Sequence, residues 1–453
     1  MAEYLFKDFP PISEKQWKQK IQFDLKGKEY NETLLSHTKD GISIQPIYHK
    51  DSYKQIANST QKSDFKICQR IFIADTNIAN KISHEAIKGG VESILFIANT
   101  PFDINSVLKE IPNEIELQFQ LNFLSESFIS DLSSQIENHT TFLNIDIVGN
   151  LVEDGNWFTN LPSDFKSFES IRNKNLKNTT AFSINTDVYQ NAGANIPQQI
   201  GYALAHGFEY LNQCLLKNEQ HLDLNINVAV GGNYFFEIAK LRAFRILWDI
   251  VSKDLGIASK IHITAFPSTR NKTLYDYNTN MLRTTSESMS AILGGADTVC
   301  NLAYDAIYHK SNKFGERISR NQLLILKEES YLSEANTIAN GSYYIEHLTN
   351  EIAEISLNIF KEVERNGGFL KQLKIGAIQN AIEKSALKEQ ALFDEGSITL
   401  LGTNKYINTE DRMKNDLELY PFVKTKPRRT LIKPLIAKRL SEQIEKERLE
   451  NEA

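Results

Sequence analysis

Short apolar runs recur along the chain at intervals of a few tens of residues, and most are followed by a stretch of helical character. Seven of the runs have the length and the β-branched or aromatic content of strands. They are SILFIA (93–98), IELQFQLNF (115–123), FLNIDIV (142–148), AFSIN (181–185), LNINVAV (224–230), IHITAF (261–266) and TVCNLAY (298–304). Residues 196–215 and 233–253, between later runs, carry apolar residues at three- and four-residue steps, which predicts helices. Strands that alternate with helices indicate a parallel sheet.

Several of the predicted strands keep polar residues at alternate positions. They are Gln118, Gln120 and Asn122, then Asn144 and Asp146, then Asn225 and Asn227. A sheet covered by helices on both faces disfavours such residues, whereas a barrel interior built from layered side chains accommodates them. We therefore predict an α/β fold of the (β/α)8 TIM barrel type, with its eighth strand at SYYIEH (342–347). A doubly wound open sheet is the alternative.

The regions on either side of the barrel lack its alternation of apolar runs and helical stretches. Residues 1–60 are predicted to form an N-terminal arm, because Trp17, Phe23 and Tyr30 are too widely spaced to bury one another. These side chains must dock either on the chain's own barrel or on a second subunit. The barrel is assigned to residues 61–370, and residues 371–453 form a C-terminal helical extension and tail. A basic cluster in the tail is interpreted as a solvated surface rather than as an anion site; its members are Lys424, Lys426, Arg428 and Arg429.

Composition narrows the classes of function. Among the 453 residues, 51 lysines and arginines are interspersed with 57 acidic residues, and the net charge is −6, which argues against a nucleic-acid partner. Cys68, Cys214 and Cys300 are far apart and lack metal-ligand spacing, as expected of reduced thiols in a cytoplasm. No secretory signal and no apolar segment of bilayer-spanning length is evident, so a cytoplasmic protein without membrane contact is predicted.

Chemistry in a TIM barrel is expected at the C-terminal ends of the strands. The charged candidates near that rim are Asp187, Arg270, Lys272, Asp276 and Asp305. No histidine directly follows the predicted strands 181–185, 224–230 and 261–266, so the commonest proton shuttle is missing there.

The remaining candidates at the rim are weak. His262 lies early in a strand, and His309 lies in the loop beyond the last predicted run. Arg270 and Lys272 could contact a phosphate, although rim salt bridges are the favoured interpretation. No dinucleotide, P-loop, zinc-hydrolase or serine-nucleophile motif occurs. We therefore assign no catalytic, cofactor-binding or metal-ligating residue.

Several segments together resemble the methylmalonyl-CoA mutase family, and more narrowly the small subunit of its heterodimeric bacterial form. They are WKQKIQFDLKGKEYNETLL (17–35), GISIQPIY (41–48), NAGANIPQQIGYALAHGFEYL (191–211), FFEIAKLRAFRILW (235–248), LRTTSESMSAILGGAD (282–297), RNQLLILKEES (320–330) and GSYYIEHLTNEIA (341–353). The segment NKTLYDYNTNMLRTT (271–285) resembles the small-subunit version of its loop. The resemblance implies a (β/α)8 barrel, which in catalytic chains is followed by a cobalamin-binding domain.

Departures from the family pattern fall on its catalytic features. Active members carry a histidine two residues before the Gln of a QEAGA-like segment, where a donor stabilises developing charge at the thioester carbonyl. Here QNAGA begins at Gln190 and that position is Val188. A second family histidine is replaced by Cys300. The tyrosine-rich hairpin has no counterpart between residues 48 and 90, and the cobalt-ligating Asp-x-His-x-x-Gly motif is missing from a chain of 453 residues. The two histidines, the hairpin and the cobalt-ligating motif are thus all absent together.

The resemblance therefore implies a non-catalytic small subunit that stabilises a heterodimer. Its large-subunit partner would isomerise methylmalonyl-CoA to succinyl-CoA in propionate metabolism, using adenosylcobalamin that this pseudoenzyme chain does not itself bind. Two alternatives remain open at this point. The chain is either the substrate-binding half of a split acyl-CoA mutase with a separate cobalamin-domain protein, or an accessory protein for cobalamin loading.

Overall fold

Eight parallel strands close into a barrel in the computed structural model, which describes residues 8–53, 64–174, 176–334, 337–424 and 427–452. A small antiparallel ribbon, β1 (Ser36–His37) and β2 (Ser43–Ile44), precedes it. The barrel strands are β3 (Lys66–Phe72), β4 (Ser93–Ala98), β5 (Glu116–Leu121), β6 (Thr141–Ile145), β7 (Thr179–Asn185), β8 (Leu224–Val230), β9 (Ile261–Pro267) and β10 (Thr298–Cys300). Because β10 pairs with both β9 and β3, the barrel is closed. The predicted (β/α)8 barrel is confirmed, and the open-sheet alternative is wrong.

Helices surround the barrel and extend beyond it. In chain order they are α1 (Glu14–Asp24), α2 (Tyr30–Leu34), α3 (Thr76–Lys88), α4 (Ile104–Leu108), α5 (Glu126–Gln135), α6 (Ile147–Asp154), α7 (Leu161–Arg172), α8 (Asp187–Asn191), α9 (Ile196–Leu216), α10 (Tyr234–Asp254), α11 (Thr279–Leu293), α12 (Lys313–Leu324), α13 (Tyr343–Arg365), α14 (Phe369–Lys374), α15 (Ala377–Asp394) and α16 (Glu442–Glu450), with a π-helical turn at Ile325–Glu329. The helices predicted at 196–215 and 233–253 correspond to α9 and α10. No helix in the described ranges is long and apolar enough to cross a bilayer.

The eighth strand of the barrel is not the segment that the sequence predicts. Residues 342–347 enter α13, so the predicted strand there is wrong, and β3 supplies the missing strand. Tyrosine and isoleucine favour strands locally, but α13 buries Ile345, Leu348 and Ile352 on one helical face. That face packs against α9 and α10, so tertiary burial outweighs the local preference.

Polar side chains fill part of the barrel interior, as predicted. Gln118 and Asn225 are fully buried, and Asn144 is nearly so. Asn225 Nδ2 donates to Asn144 Oδ1 at 2.7 Å, and Thr264 Oγ1 donates to Gln118 Oε1 at 3.2 Å. These contacts satisfy the side-chain oxygens of Asn144 and Gln118, whose burial without a partner would each cost roughly 1–3 kcal/mol, whereas the Asn144 amide nitrogen is buried without a partner among the described residues.

The described part of the N-terminal arm is only partly buried on the chain's own barrel. Tyr30 is buried, with the Lys18 ammonium 4.7 Å from its ring centroid. Trp17 is half-buried, whereas Phe23 leaves 79% of its surface exposed. Residues 1–7 and 54–60 of the predicted arm, like Lys426 of the basic cluster, lie outside the described residues. The arm therefore presents apolar surface that the described barrel does not cover.

Candidate functional site

A C-terminal segment lies across the mouth of the barrel, at the C-terminal ends of the strands where TIM barrels place their chemistry. We call residues 427–441 the closing segment. Its backbone amides donate to carbonyls in three different connections that follow barrel strands: Leu435 to Val152 at 2.9 Å, Lys438 to Asn191 at 3.0 Å, and Leu440 to Arg270 at 2.9 Å. These carbonyls belong to α6, α8 and the loop after β9, which all stand at the C-terminal ends of strands. The closing segment thus ties together several of the loops that would form an active site.

The closing segment is anchored by a buried arginine. Arg439 Nη1 donates to the Lys272 carbonyl at 3.1 Å, and Nη2 donates to the Pro421 carbonyl at 3.1 Å. The same guanidinium forms an ion pair with Glu445, whose Oε1 accepts the Leu274 amide at 2.8 Å. Both charged side chains are almost fully buried. A buried pair of this kind is costly to break, because removal of one partner leaves the other charge uncompensated.

The two cations proposed for the rim are both occupied by carboxylates. Arg270 Nε lies 2.5 Å from Glu389 Oε2, and its Nη1 donates to the Lys438 carbonyl of the closing segment at 2.9 Å. Lys272 Nζ lies 2.7 Å from Glu287 Oε2 in a buried pair. Burial lowers the pKa of Lys272, and Glu287 opposes that shift. Each cation is therefore paired with a carboxylate, which is the arrangement that the salt-bridge interpretation expects.

The three rim aspartates are held at separate points. Asp187 begins α8, and burial raises its pKa while Arg70 opposes the shift. Burial also raises the pKa of Asp276, and Asp411 adds to that effect. Asp305 Oδ2 accepts Asn312 Nδ2 at 2.7 Å. Within the described residues, none of the five charged candidates forms a hydrogen bond or ion pair with another, so they do not converge on one site.

The two histidines named from the sequence have structural partners. His262 stacks on Phe142, with ring centroids 4.1 Å apart, and its Nε2 lies 3.1 Å from Thr298 Oγ1 in the N-terminal half of the barrel. Burial lowers its pKa. His309 Nδ1 lies 3.3 Å from Asp305 Oδ2. Each ring is therefore engaged with a neighbouring side chain through one nitrogen, and the buried Nδ1 of His262 has no hydrogen-bond partner among the described residues.

The two positions at which the resemblance leads us to expect histidines are apolar. Val188 lies in α8 with 8% of its surface exposed. Cys300 ends β10 and lies beside Cys68 in a buried cluster that includes Leu95 and Phe266. Burial raises the pKa of the Cys68 thiol. Neither position offers a group that could stabilise a developing charge at the rim.

A buried polar network at the end of β6 was missed by the sequence analysis. Asp146 Oδ1 accepts from His206 Nε2 at 2.9 Å and from Tyr210 OH at 2.6 Å. Tyr189 OH lies 3.0 Å from His206 Nδ1. Burial alone would raise the pKa of Asp146, but His206, Tyr210 and a backbone amide lower it below its usual value. His206 and Tyr210 are four residues apart, which places them on one face of α9, but nothing in the sequence pairs them with Asp146.

This network is closed to a substrate. His206 and Tyr189 have no solvent exposure, and all three polar groups around Asp146 point at one another. Fully satisfied buried networks fix the relative position of the elements that carry them. Here the network joins β6 to α8 and α9, and its role is structural.

A cavity of about 490 Å³ remains beside the closing segment. Its lining includes Glu153, Leu302, Tyr420 and Lys438. Glu153 has solvent access, yet the surrounding protein, reinforced by the nearby carboxylate of Asp187, raises its pKa to about 7. The lining also carries Lys424, Arg439 and Glu442, and the Arg439 guanidinium is already paired with Glu445.

The mouth does not fit a corrin cofactor. A flat macrocycle would have to lie on the face that the closing segment occupies through its backbone hydrogen bonds to Val152, Asn191 and Arg270. His309, at the rim, is engaged with Asp305. In the part of the chain that the structure describes, no group of three His, Cys, Asp or Glu side chains is arranged to hold a metal ion.

Comparison with known proteins identifies the family. The family model for methylmalonyl-CoA mutase matches residues 128–450. The methylmalonyl-CoA mutase small subunit of Porphyromonas gingivalis is 31% identical over 449 residues, which covers 90% of this chain and 71% of that protein. The methylmalonyl-CoA mutase of Rhizobium meliloti is 35% identical over 242 residues, 51% of this chain and 34% of the relative. The large subunit of the Porphyromonas gingivalis enzyme is 32% identical over 250 residues, 51% of this chain and 34% of the relative.

The matches differ in extent. The chain spans about a third of the length of the Rhizobium enzyme and of the Porphyromonas large subunit, but most of the small subunit. Among solved structures, a methanol:cobalamin methyltransferase complex from Methanosarcina barkeri overlaps 80% of this chain and 89% of that one at 9% identity, with a TM-score of 0.26 that is too low to indicate a shared fold. The resemblance inferred from the sequence motifs is confirmed by the family model and by the small-subunit relative.

Proposed function

The chain belongs to the methylmalonyl-CoA mutase family of isomerases, and we propose that it is the non-catalytic small subunit of an adenosylcobalamin-dependent methylmalonyl-CoA mutase. In this proposal a large subunit isomerises methylmalonyl-CoA to succinyl-CoA, and this chain stabilises it in a heterodimer. The observation that carries the proposal is the closing segment, which lies on the face where the family's substrate and cofactor would have to meet.

The chemistry of the rim supports the same conclusion. A valine at position 188 can neither donate a hydrogen bond nor carry charge, so it cannot replace a histidine that stabilises developing charge. Loss of one such donor typically lowers kcat by about 10²–10³. The rim cations Arg270 and Lys272 are already neutralised by Glu389 and Glu287. A barrel with this rim supplies structure to its partner rather than a second active site.

The partner is proposed from the names of two relatives and from the exposed arm. Small and large mutase subunits both occur in Porphyromonas gingivalis, and this chain is similar to each. We assign the arm, residues 1–60, to the interface, because Phe23 and Ile12 expose 79% and 60% of their surfaces on it. Apolar side chains of this size gain stability when a second subunit covers them.

The cofactor and the compartment follow from this assignment. Adenosylcobalamin is assigned to the large subunit, since the mouth of this barrel does not fit a corrin ring and the whole sequence lacks an Asp-x-His-x-x-Gly motif. We assign the complex to the cytoplasm, where the three buried cysteines, which are free thiols, remain reduced.

The two alternative functions require features that the described residues do not provide. A substrate-binding half of a split mutase needs an open rim with a donor near the thioester, and here Leu435 and Leu440 cross that rim. An accessory protein for cobalamin loading needs a surface that holds the corrin ring, which the same segment occupies.

The proposal is tested by mutase turnover with methylmalonyl-CoA and adenosylcobalamin in three samples: this chain alone, the large subunit alone, and the co-expressed pair. We expect no turnover by this chain alone, full turnover by the pair, and co-elution of the two chains in a one-to-one complex. Turnover by this chain when only a separate cobalamin-domain protein is added would contradict the proposal, because the rim would then be performing the chemistry.

A further inference from the structure

A groove of about 540 Å³ lies on the outer surface of the barrel, between residues 45–53 and helices α10 and α13. It shares no lining residue with the cavity beside the closing segment. Its volume is within the range of small-molecule sites in proteins, about 300–1,000 Å³. None of the chemistry discussed above uses this groove.

Aromatic rings form much of the groove's wall. The Tyr48 and His347 rings have centroids 4.9 Å apart and planes inclined at 45°. Tyr53 and Tyr343 form a second pair, with centroids 5.0 Å apart and planes inclined at 50°. Because the paired rings are tilted, part of each ring face stays uncovered, and Tyr343 keeps 39% of its surface exposed. Aromatic faces carry the negative part of the ring quadrupole, which attracts cations.

Carboxylates without counter-ions complete the wall. Glu351 is half-buried in the groove and Glu354 is exposed one helical turn further along α13. In the described ranges, neither side chain forms a hydrogen bond or an ion pair, and the groove lining contains no lysine or arginine. Burial, with the charge of Glu351 as a smaller cause, raises the pKa of Tyr48. His49 and His347 also line the groove; burial lowers the pKa of His347, and Glu351 opposes that shift. The groove therefore combines aromatic faces with carboxylates that no lysine or arginine of the lining neutralises.

We infer that this groove binds an organic cation, an alkylammonium or guanidinium group. The positively charged group lies against the Glu351 carboxylate, and the aliphatic part of the ligand lies against the tyrosine rings. Aromatic faces beside a carboxylate favour such a group, because it is less strongly hydrated than a metal ion and gains contact with the rings. A metal ion would need more oxygen ligands than two glutamates supply. The cation can be a free polyamine or the side chain of a lysine or arginine in another protein. The inference needs no large subunit, although Tyr48 and Tyr53 belong to the arm that the proposed function assigns to the interface.

The test is isothermal titration of the full-length chain with spermidine and, separately, with the blocked tripeptide Ala-Arg-Ala. Glu351→Gln removes the charge and keeps the shape, and we expect it to weaken binding about tenfold. Tyr343→Leu keeps apolar volume without a ring face and should weaken binding about threefold. Glu362→Gln is the matched control, an exposed glutamate three turns along the same helix, and should bind as the parent does.

The outcomes separate the sources of the cation and can overturn the inference. Binding of spermidine that depends on Glu351 supports a free polyamine as the ligand, whereas binding of the tripeptide alone supports a protein side chain. Absence of binding by both probes, equal affinity in Glu351→Gln and the parent, or equal weakening by Glu362→Gln would overturn it. Unchanged affinity in Tyr343→Leu would overturn the role given to the rings. Circular dichroism of each variant shows whether it is folded.

Discussion

Arg439→Met is predicted to release the closing segment without unfolding the barrel. The substitution removes the ion pair with Glu445 and the hydrogen bonds to the carbonyls of Lys272 and Pro421. Glu445 then stays buried with its charge uncompensated, which typically costs about 3–5 kcal/mol. Because Glu445 keeps the Leu274 amide as a donor, we expect the lower end, about 3 kcal/mol. That is a large part of the roughly 5–15 kcal/mol by which a domain is stable.

The assay is amide hydrogen exchange read by mass spectrometry on peptides that contain Leu435, Lys438 and Leu440. Their amides donate to the loops of the mouth, so their protection reports closure of the segment directly. A loss of about 3 kcal/mol corresponds to roughly a hundredfold faster exchange. Exchange in the barrel strands should remain as slow as in the parent, because the hydrogen bonds between those strands do not involve the closing segment.

Two further variants separate the buried pair from a general effect of charge. Arg428 also lies in the closing segment, and Arg428→Met removes its exposed ion pair with Asp154 of α6. Such an exposed pair is worth no more than about 1 kcal/mol, so amide exchange should change little. Arg439→Met combined with Glu445→Gln removes the uncompensated charge while an acceptor for Leu274 remains, and it should recover part of the protection. Unchanged exchange at Leu440 in Arg439→Met would refute the view that this buried pair holds the mouth closed.

Three further predictions concern packing, pH dependence and catalysis. Gly207→Ala places a Cβ 2.4 Å from the Trp248 ring, and overpacking should lower the free energy of unfolding by about 1–3 kcal/mol in urea titrations. Burial, with Glu209 nearby, raises the pKa of Glu364 to about 7, so the folded state holds its proton more tightly and stability falls between about pH 4.5 and 7. Glu364→Gln should remove that loss and raise the urea midpoint at pH 8 but not at pH 4; an unchanged midpoint at pH 8 would contradict it. Val188→His should give no turnover by the chain alone, because the closing segment still covers the rim; measurable turnover would refute this.

Most strands could be predicted because their apolar runs are local and β-branched. β3 was overlooked because Lys66, Gln69 and Arg70 interrupt its apolar pattern. In the structure Lys66 pairs with Glu116 of β5 at 3.0 Å, and the Arg70 guanidinium lies 4.9 Å from the centroid of the Phe266 ring. These contacts join residues far apart in sequence, so nothing within the run itself signals that it belongs to the barrel.

The replacement of the family histidine could be located from the motif around Val188, but the closing segment could not be predicted. Its three anchoring amides bond to backbone carbonyls, which every residue type offers, so the sequence carries no signature of the contact. The ion pairs Arg270–Glu389 and Arg439–Glu445 likewise depend on where α15 and α16 lie in the fold. Such long-range contacts become visible only when the barrel and its extension are seen together.

The most direct test of the central claim is the number of cofactor and substrate molecules bound per heterodimer. Equilibrium dialysis of the purified complex with adenosylcobalamin and with methylmalonyl-CoA, alongside this chain alone, gives these stoichiometries. A non-catalytic small subunit with a closed mouth predicts one adenosylcobalamin and one acyl-CoA per heterodimer, and neither on this chain alone. Two of either ligand per heterodimer, or saturable binding of adenosylcobalamin to this chain alone, would contradict the account.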